Sequence, residues 1–499
     1  MRADGSGDAP GGLRRRADGI AVAVVGGGVS GLTAARELAL AGARVVLYEE
    51  RDRLGGRVRR ENVADVPLDI GAEAFATRGG AVAELLTELG LDGQIVNPAP
   101  LGSWVVADDG AMPLPAAGTV GIPAAPLARD AVRALGIGGS LRAALEPLLP
   151  RSVGRGATLA RLVRARLGSR VLDRLVRPVV LGVHSADPAD LPVEAVPGLA
   201  EAFERRGTLI SAARELRDSR AAAGGAVAGL RDGMGELVDA LADELERLGV
   251  EVRTSARVRR VERGEADGIR ILAAARSTAG PAADDAETEA LADAAILAVP
   301  ERAARQMLGA PDAEPEARIE IVALAIDDPR LDAAPRGTGA LVAADAVPRI
   351  RAKALTHVTA KWPARAASLG PGRHLLRLSY GRLGSAPETA GLPDEEVLAL
   401  ALRDASRILG MELDPASVRG MLRREWDNGS VRASAATGSD RTGLSEPPGV
   451  AFAGDWVGGT GLASVIPAAR AAARRILRPA PTPAAPAHVP APHPEGGPR

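Results

Sequence analysis

An apolar strand, Ile20-Ala-Val-Ala-Val-Val25, runs directly into Gly26-Gly27-Gly28-Val29-Ser30-Gly31 and then into the helix-forming stretch Leu32 to Ala41. This strand–turn–helix pattern constrains the fold more than any other stretch. Gly26 permits the tight turn out of the strand, Gly28 lets the backbone approach a pyrophosphate, and Gly31 allows the helix to pack closely on the sheet. The pyrophosphate then sits on the helix N-terminus, where amides lack intrahelical acceptors. A second strand, Ala43 to Tyr48, ends in Glu49 with Glu50 beside it. The Glu49 carboxylate is placed to accept both hydroxyls of an adenosine ribose, and its charge disfavours a 2′-phosphate.

The next segment, Arg53-Leu-Gly55-Gly56-Arg57, places a second glycine loop and an arginine within reach of the diphosphate. G-x-G-x-x-G, then Glu, then L-G-G-R resembles the flavoprotein superfamily of amine oxidases, phytoene desaturases and protoporphyrinogen oxidases, which implies FAD. Within that resemblance, Asp69-Ile-Gly71-Ala72-Glu73-Ala74 corresponds to the loop beside the isoalloxazine, and Val258 to the valine whose backbone meets the adenine. Gly454-Asp455 and Thr460-Gly461-Leu462, ahead of a closing helix, correspond to the second phosphate and flavin contact. Trp426 is counted with these cofactor-binding residues.

Three further blocks resemble the protoporphyrinogen and coproporphyrinogen oxidases: Pro178 to Leu191 around Gly182-Val-His184-Ser-Ala-Asp187-Pro188, Arg351 to Pro363, and Leu376 to Arg382. Gly233-Met234-Gly235 matches the family pattern only in part. The departures are His184, where the family usually has tyrosine, His357, where an aromatic is common, and the small polar stretch after Trp426, which lacks the usual P-x-Y/F-x-x-G-H. The resemblance implies desaturation of a porphyrinogen: hydride leaves a methylene bridge for FAD, protons leave the pyrrole nitrogens, and dioxygen is the final acceptor. Cations are then needed for the substrate's propionates, and Arg78, Lys353 and Arg382 are the candidates. No general base stands out. Coproporphyrinogen III is favoured, with protoporphyrinogen IX, a flavin amine oxidase and a non-catalytic FAD-binding scaffold as alternatives.

Composition narrows these choices. With no cysteine, the FAD is expected to be non-covalent, and thiolate metal sites and disulfides are excluded. His184, His357 and His374 are scattered without ligand-like spacing, so no metal site is expected. Nine aromatics speak against the cation cage of an amine oxidase and against base-stacking platforms, and a net charge of −1 speaks against nucleic acid. Only two lysines, Lys353 and Lys361, stand among 62 basic residues, and both lie in the second block. Arg14-Arg15-Arg16 invites a twin-arginine export reading, but the apolar stretch after it is broken by the phosphate-binding glycines.

The expected fold class is α/β: a discontinuous Rossmann-like FAD-binding domain with a sheet-based substrate domain and a helical insertion. The FAD-binding domain takes residues 20–95, 226–310 and 426–478; the substrate domain takes 96–124 and 311–425. The helical insertion spans 125–225, between polar or proline-rich tails at 1–19 and 479–499. No stretch suits a transmembrane helix, which points to the cytoplasm, and the Leu/Val/Arg helices of the insertion leave room for a peripheral membrane contact. The oligomeric state is open.

Overall fold

The computed structural model describes residues 19–115, 118–154, 156, 158–222, 227–264, 268–275, 287–312, 317–347, 349–428 and 443–478. The expected tails, most of the acidic loop near 280–290 and the stretch 429–442 after Trp426 lie outside the described residues.

Ala21–Val25 is the middle strand of a five-stranded parallel sheet ordered Glu251–Arg253, Arg44–Tyr48, Ala21–Val25, Ala294–Leu297, Val450–Phe452. Its unbroken apolar sequence follows from burial on both faces. Val22 and Val24 meet the helices Val29–Leu40, Gly235–Arg247 and Leu462–Leu477, while Ala23 and Val25 meet a three-stranded antiparallel sheet of Ala256–Arg263, Ile269–Ala275 and Glu287–Ala292. The stretch Val250 to Val261, which reads as one strand in the sequence, is two. Ser255 takes a left-handed φ of 52° and Ala256 donates its amide to the Glu49 carbonyl, so the chain leaves one sheet for the other beside Glu49.

A seven-stranded sheet carries the second region. Its order is Val418–Asn428, Ala317–Asp327, Arg373–Tyr380, Ala354–His357, Gly339–Val342, Trp104–Ala107, Gly110–Pro113. Val322, Leu324 and Ile326 pack toward the helix Asp394–Leu409, and the alternating Ala323 and Ala325 pack under the hairpin Arg60–Asp69. The strand Val418–Asn428 stays paired with Ala317–Asp327 through Asn428, so Trp426 belongs to this sheet and not to a cofactor-domain piece beginning at 426.

The helices between Arg129 and Ala222 enclose a core of their own. At its centre the fully buried Arg166 bonds Glu146 at 2.7 Å, and Glu146 also accepts the Leu209 and Ile210 amides at 2.6 and 2.9 Å. No helix among the described residues is long and apolar enough to cross a membrane.

Candidate active site

The glycine turns converge. A Cβ on Gly31 would lie 1.8 Å from the Gly26 carbonyl oxygen, and one on Gly26 would lie 2.5 Å from the Ala298 carbonyl oxygen, so only glycine permits this contact between helix and sheet. Gly55 donates its amide to the Gly27 carbonyl at 2.8 Å, and Gly28 forms a parallel bridge with Gly55, which folds the L-G-G-R loop onto the first turn. Beyond Gly56, the Arg57 guanidinium meets the Asp455 carboxylate at 2.6 Å. Three segments distant in the chain thus close on one place.

A diphosphate fits the groups present. The helices Val29–Leu40 and Leu462–Leu477 both begin on a glycine, Gly28 and Gly461, with no side-chain cap and no acid in the first turn. Their first amides are therefore donors awaiting an acceptor. The buried Ser30 hydroxyl, in the first turn, has no partner either. A Cβ on Gly28 would have no neighbour closer than 4.0 Å, and one on Gly461 would meet nothing within 4 Å, so both turns leave room for a ligand. Glu49 is buried, with one carboxylate oxygen taking the Gly27 amide at 2.7 Å and the other the Arg51 amide at 2.9 Å. Each oxygen keeps an acceptor position. Glu50 is exposed, 3.8 Å from Arg257. At Val258 the ladder with Ile269–Ala275 shifts register before Arg260, so regular pairing is interrupted at that residue. Thr460 sits between the glycines Gly459 and Gly461 at the head of the closing helix.

Glu73 is the electrostatic centre of the loop Asp69 to Ala74. One carboxylate oxygen contacts the Lys361 ammonium; the other accepts from Arg377 Nη1 at 2.9 Å. Arg377 Nη2 also bonds the Gly71 carbonyl at 2.8 Å. Burial alone would raise the Glu73 carboxyl, but Lys361 and Arg377 outweigh it and hold it at about 2. Ala72 donates to the Arg57 carbonyl at 2.9 Å, tying this loop to the L-G-G-R segment. Trp426 packs with Ala74 against the cluster of Ile70, Leu68 and Trp362, and its indole N–H is buried without a partner.

The three proposed substrate cations do not form one cluster. Arg78 bonds the Ser464 hydroxyl at 2.9 Å on the closing helix. The Lys353 ammonium donates to Ser185 Oγ and to the Gly381 carbonyl, each at 2.8 Å. Burial, opposed by Glu388, pushes it down to about 7. Lys353 therefore acts as a tie between protein segments, not as a free cation awaiting a carboxylate. Arg382 is exposed, next to Gly381. Lys353 joins all three sequence blocks, since Ser185, Lys353 and Gly381 come one from each.

The histidines are not all scattered. His357 Nε2 and His374 Nδ1 lie 3.1 Å apart, with the Thr359 hydroxyl 3.1 Å from the same nitrogen of His374. Burial, and then His374, hold His357 at about 3, so it is neutral. His184 is buried with Nδ1 unpartnered, and burial lowers it as well. Sequence reasoning missed Lys361, Arg377 and Ser185 as site residues; the survival of only two lysines was the available signal.

The turns, the uncapped helices and the second sheet together define an α/β dinucleotide-binding protein with a separate sheet beside the cofactor loop. A family model for flavin containing amine oxidoreductases matches residues 29–477, and the chain belongs to that family of oxidoreductases. The coproporphyrinogen III oxidase of Mycobacterium tuberculosis is 34% identical over 91% of this chain and 96% of its own length. That of Bacillus subtilis is 24% identical over 79% of this chain and 84% of its own. Among solved structures, an Exiguobacterium sp. 255-15 protein matches with a TM-score of 0.73 at 22% identity, covering 92% of this chain and 99% of that one. Putrescine oxidase shares the fold at a TM-score of 0.58 and 18% identity, covering 92% and 98%.

Proposed function

We propose that this protein is an FAD-dependent oxidase that desaturates a porphyrinogen, with coproporphyrinogen III as its substrate and dioxygen as its final acceptor. The observation that carries this reading is the convergence of three sequence blocks: they meet at Lys353, and two of them supply the cations on Glu73. Relatives that bear the name coproporphyrinogen III oxidase and align over nine-tenths of the chain support it.

In this reading the convergent turns would hold FAD without a covalent bond. Gly26, Gly27, Gly28, Val29, Ser30 and Gly31, with Gly56 and Arg57, hold the diphosphate; Glu49, with Glu50 beside it, takes the ribose; the Val258 backbone takes the adenine. Gly71, Ala72, Glu73 and Ala74, together with Gly454, Asp455, Thr460, Gly461 and Leu462, would contact the flavin, with Trp426 packed on the loop at Ala74. The bound cofactor supplies two-electron acceptor chemistry. The chain's contribution is fixed charge. Glu73 remains ionised at neutral pH, so it is no proton donor, and with Lys361 and Arg377 it leaves a net single positive charge beside the loop. That charge favours negative charge developing nearby. Arg382 and Arg78 remain the cations for the propionates.

The test is a side-by-side anaerobic and aerobic assay with coproporphyrinogen III, protoporphyrinogen IX and putrescine. Flavin bleaching under anaerobiosis and porphyrin fluorescence in air, fastest with coproporphyrinogen III, is the expected result. Bleaching by the amine alone overturns the reading. Heat or acid should also release intact FAD into the supernatant; flavin that stays with the precipitate contradicts non-covalent binding.

A further inference from the structure

A cavity of about 440 Å³ opens where the hairpin Arg60–Asp69, the turn at Asp232 and the helix Pro363–Leu369 come together. Its volume is that of a small-molecule site, about 300–1,000 Å³, and such sites favour junctions between regions of a fold. None of its lining residues is among the cofactor turns, the loop Gly71 to Ala74 or the cations considered for the propionates. The lining carries charge of both signs. Arg60, Arg365 and Arg373 stand against Asp65 and Asp232, a net single positive charge.

These arginines are not spent on one another's neighbours. Arg365 Nη2 donates to the Asp232 backbone carbonyl, and Arg373 Nη1 reaches the Leu369 carbonyl at 3.4 Å. Nε and Nη2 of Arg60 are buried with no partner, and its Nη1 is 3.8 Å from the exposed Asp239, outside the lining. No carboxylate among the described residues therefore comes within hydrogen-bonding distance of any of the three guanidiniums. Burial lowers the Arg365 guanidinium, with Asp69 opposing, so an incoming carboxylate would relieve it. On the acidic side, Asp65 stands exposed at the hairpin turn with a left-handed φ of 62°. Behind Asp232, burial and then Asp232 itself push the Glu236 carboxyl up, toward its neutral form.

We propose that this cavity binds an acidic amino acid, with its carboxylates on Arg60, Arg365 and Arg373 and its ammonium between Asp65 and Asp232. Guanidinium forks match carboxylates in shape as well as charge, and three of them with uncommitted donors in one cavity are a carboxylate receptor. A ligand of carboxylates alone would leave the two aspartates facing like charge. One ammonium beside two carboxylates uses every charged group in the lining, and its net charge of −1 cancels the cavity's. The inference does not rest on the identity of the substrate.

The experiment is calorimetric titration of the FAD-loaded protein with L-glutamate and, separately, with glutarate, which keeps both carboxylates and lacks the ammonium. Saturable binding of L-glutamate, with glutarate about tenfold weaker, is expected. R60Q/R373Q should abolish binding of both, and D65N/D232N should bring L-glutamate down to the affinity of glutarate, with flavin content and melting temperature unchanged in each. Arg373 is exposed at the start of its strand, so R373Q alone, expected to weaken both ligands about tenfold, keeps the test if the Arg60 substitution impairs folding. No saturable heat with L-glutamate overturns the proposal. So does binding that R373Q and R60Q/R373Q both leave unaltered, or glutarate binding as tightly as L-glutamate.

Discussion

Replacing Glu73 with glutamine tests whether the loop Asp69 to Ala74 is held by charge. The carboxylate is 16% exposed and its partners Lys361 and Arg377 are 19% and 9% exposed, so all three groups are largely out of water. A carboxyl held at about 2 against an ordinary 4.5 corresponds to about 3 kcal/mol of stabilisation in favour of the ionised form. Glutamine keeps the shape but leaves two cations unneutralised, and breaking a buried pair from one side costs about 3–5 kcal/mol. E73Q should therefore lose about 3 kcal/mol at pH 7, measured by urea denaturation in a fixed excess of FAD. The pH dependence has a defined sign. A depressed carboxyl contributes its full stabilisation above its unfolded value and loses it as pH falls toward the folded one, so the gap between wild type and E73Q should shrink from pH 4.5 downward. Adding K361M to E73Q should recover at least about 1 kcal/mol, because it removes a buried unpaired ammonium. A loss below about 1 kcal/mol at pH 7, or a gap that stays constant between pH 6 and 3, refutes the electrostatic account.

Other substitutions probe separate parts of the structure. Gly31→Ala would push a Cβ to 1.8 Å from the Gly26 carbonyl oxygen and should abolish soluble flavin-loaded protein, whereas Gly93→Ala, where nothing lies within 4 Å, should keep full flavin content by absorbance. Burial, opposed by Glu388, lowers the Lys353 ammonium to about 7, so the unfolded chain binds an extra proton between that pH and the ordinary lysine value. Wild-type stability should therefore gain from Lys353 as pH rises from 7 to 10, and Lys353→Met should flatten that rise in denaturation curves. Arg382→Ala should raise the apparent KM for coproporphyrinogen III severalfold with flavin content unchanged; unaltered kinetics would make Arg382 an ordinary surface charge.

What could be read from the sequence was local. The strand, turn and helix from Ile20 to Ala41 were legible because backbone approach at Gly26, Gly28 and Gly31 leaves a signature no side chain can replace. The strands Ala294–Leu297 and Arg373–Tyr380 and the helices of the insertion followed from periodicity. What stayed hidden depends on register between distant strands. Glu73 meets partners 288 and 304 residues away, and no spacing rule announces such a pair. His357 and His374 meet because His357 stands opposite Leu376 on the neighbouring antiparallel strand, two residues from His374. Lys353 was read by its charge, as a ligand for substrate, when its position at the sheet end gives it protein acceptors instead. The break at Ser255 was missed because the apolar pattern on either side of it is continuous while the sheets are different.

The order of the parallel sheet bears on how the chain is made. The central strand Ala21–Val25 leaves the ribosome long before its neighbour Ala294–Leu297, and Val450–Phe452 follows after that. The helix Leu462–Leu477, which packs on the first helix Val29–Leu40, comes later still. During synthesis the two earliest strands must therefore wait with both edges open while the helical region forms, and most of the second sheet follows before Val450–Phe452 can cover Ala294–Leu297. Of the described elements, those that close the dinucleotide pocket emerge last. A chain truncated before residue 450 would have a finished second sheet, an incomplete dinucleotide pocket and an exposed strand edge on Ala294–Leu297 to mark it for removal.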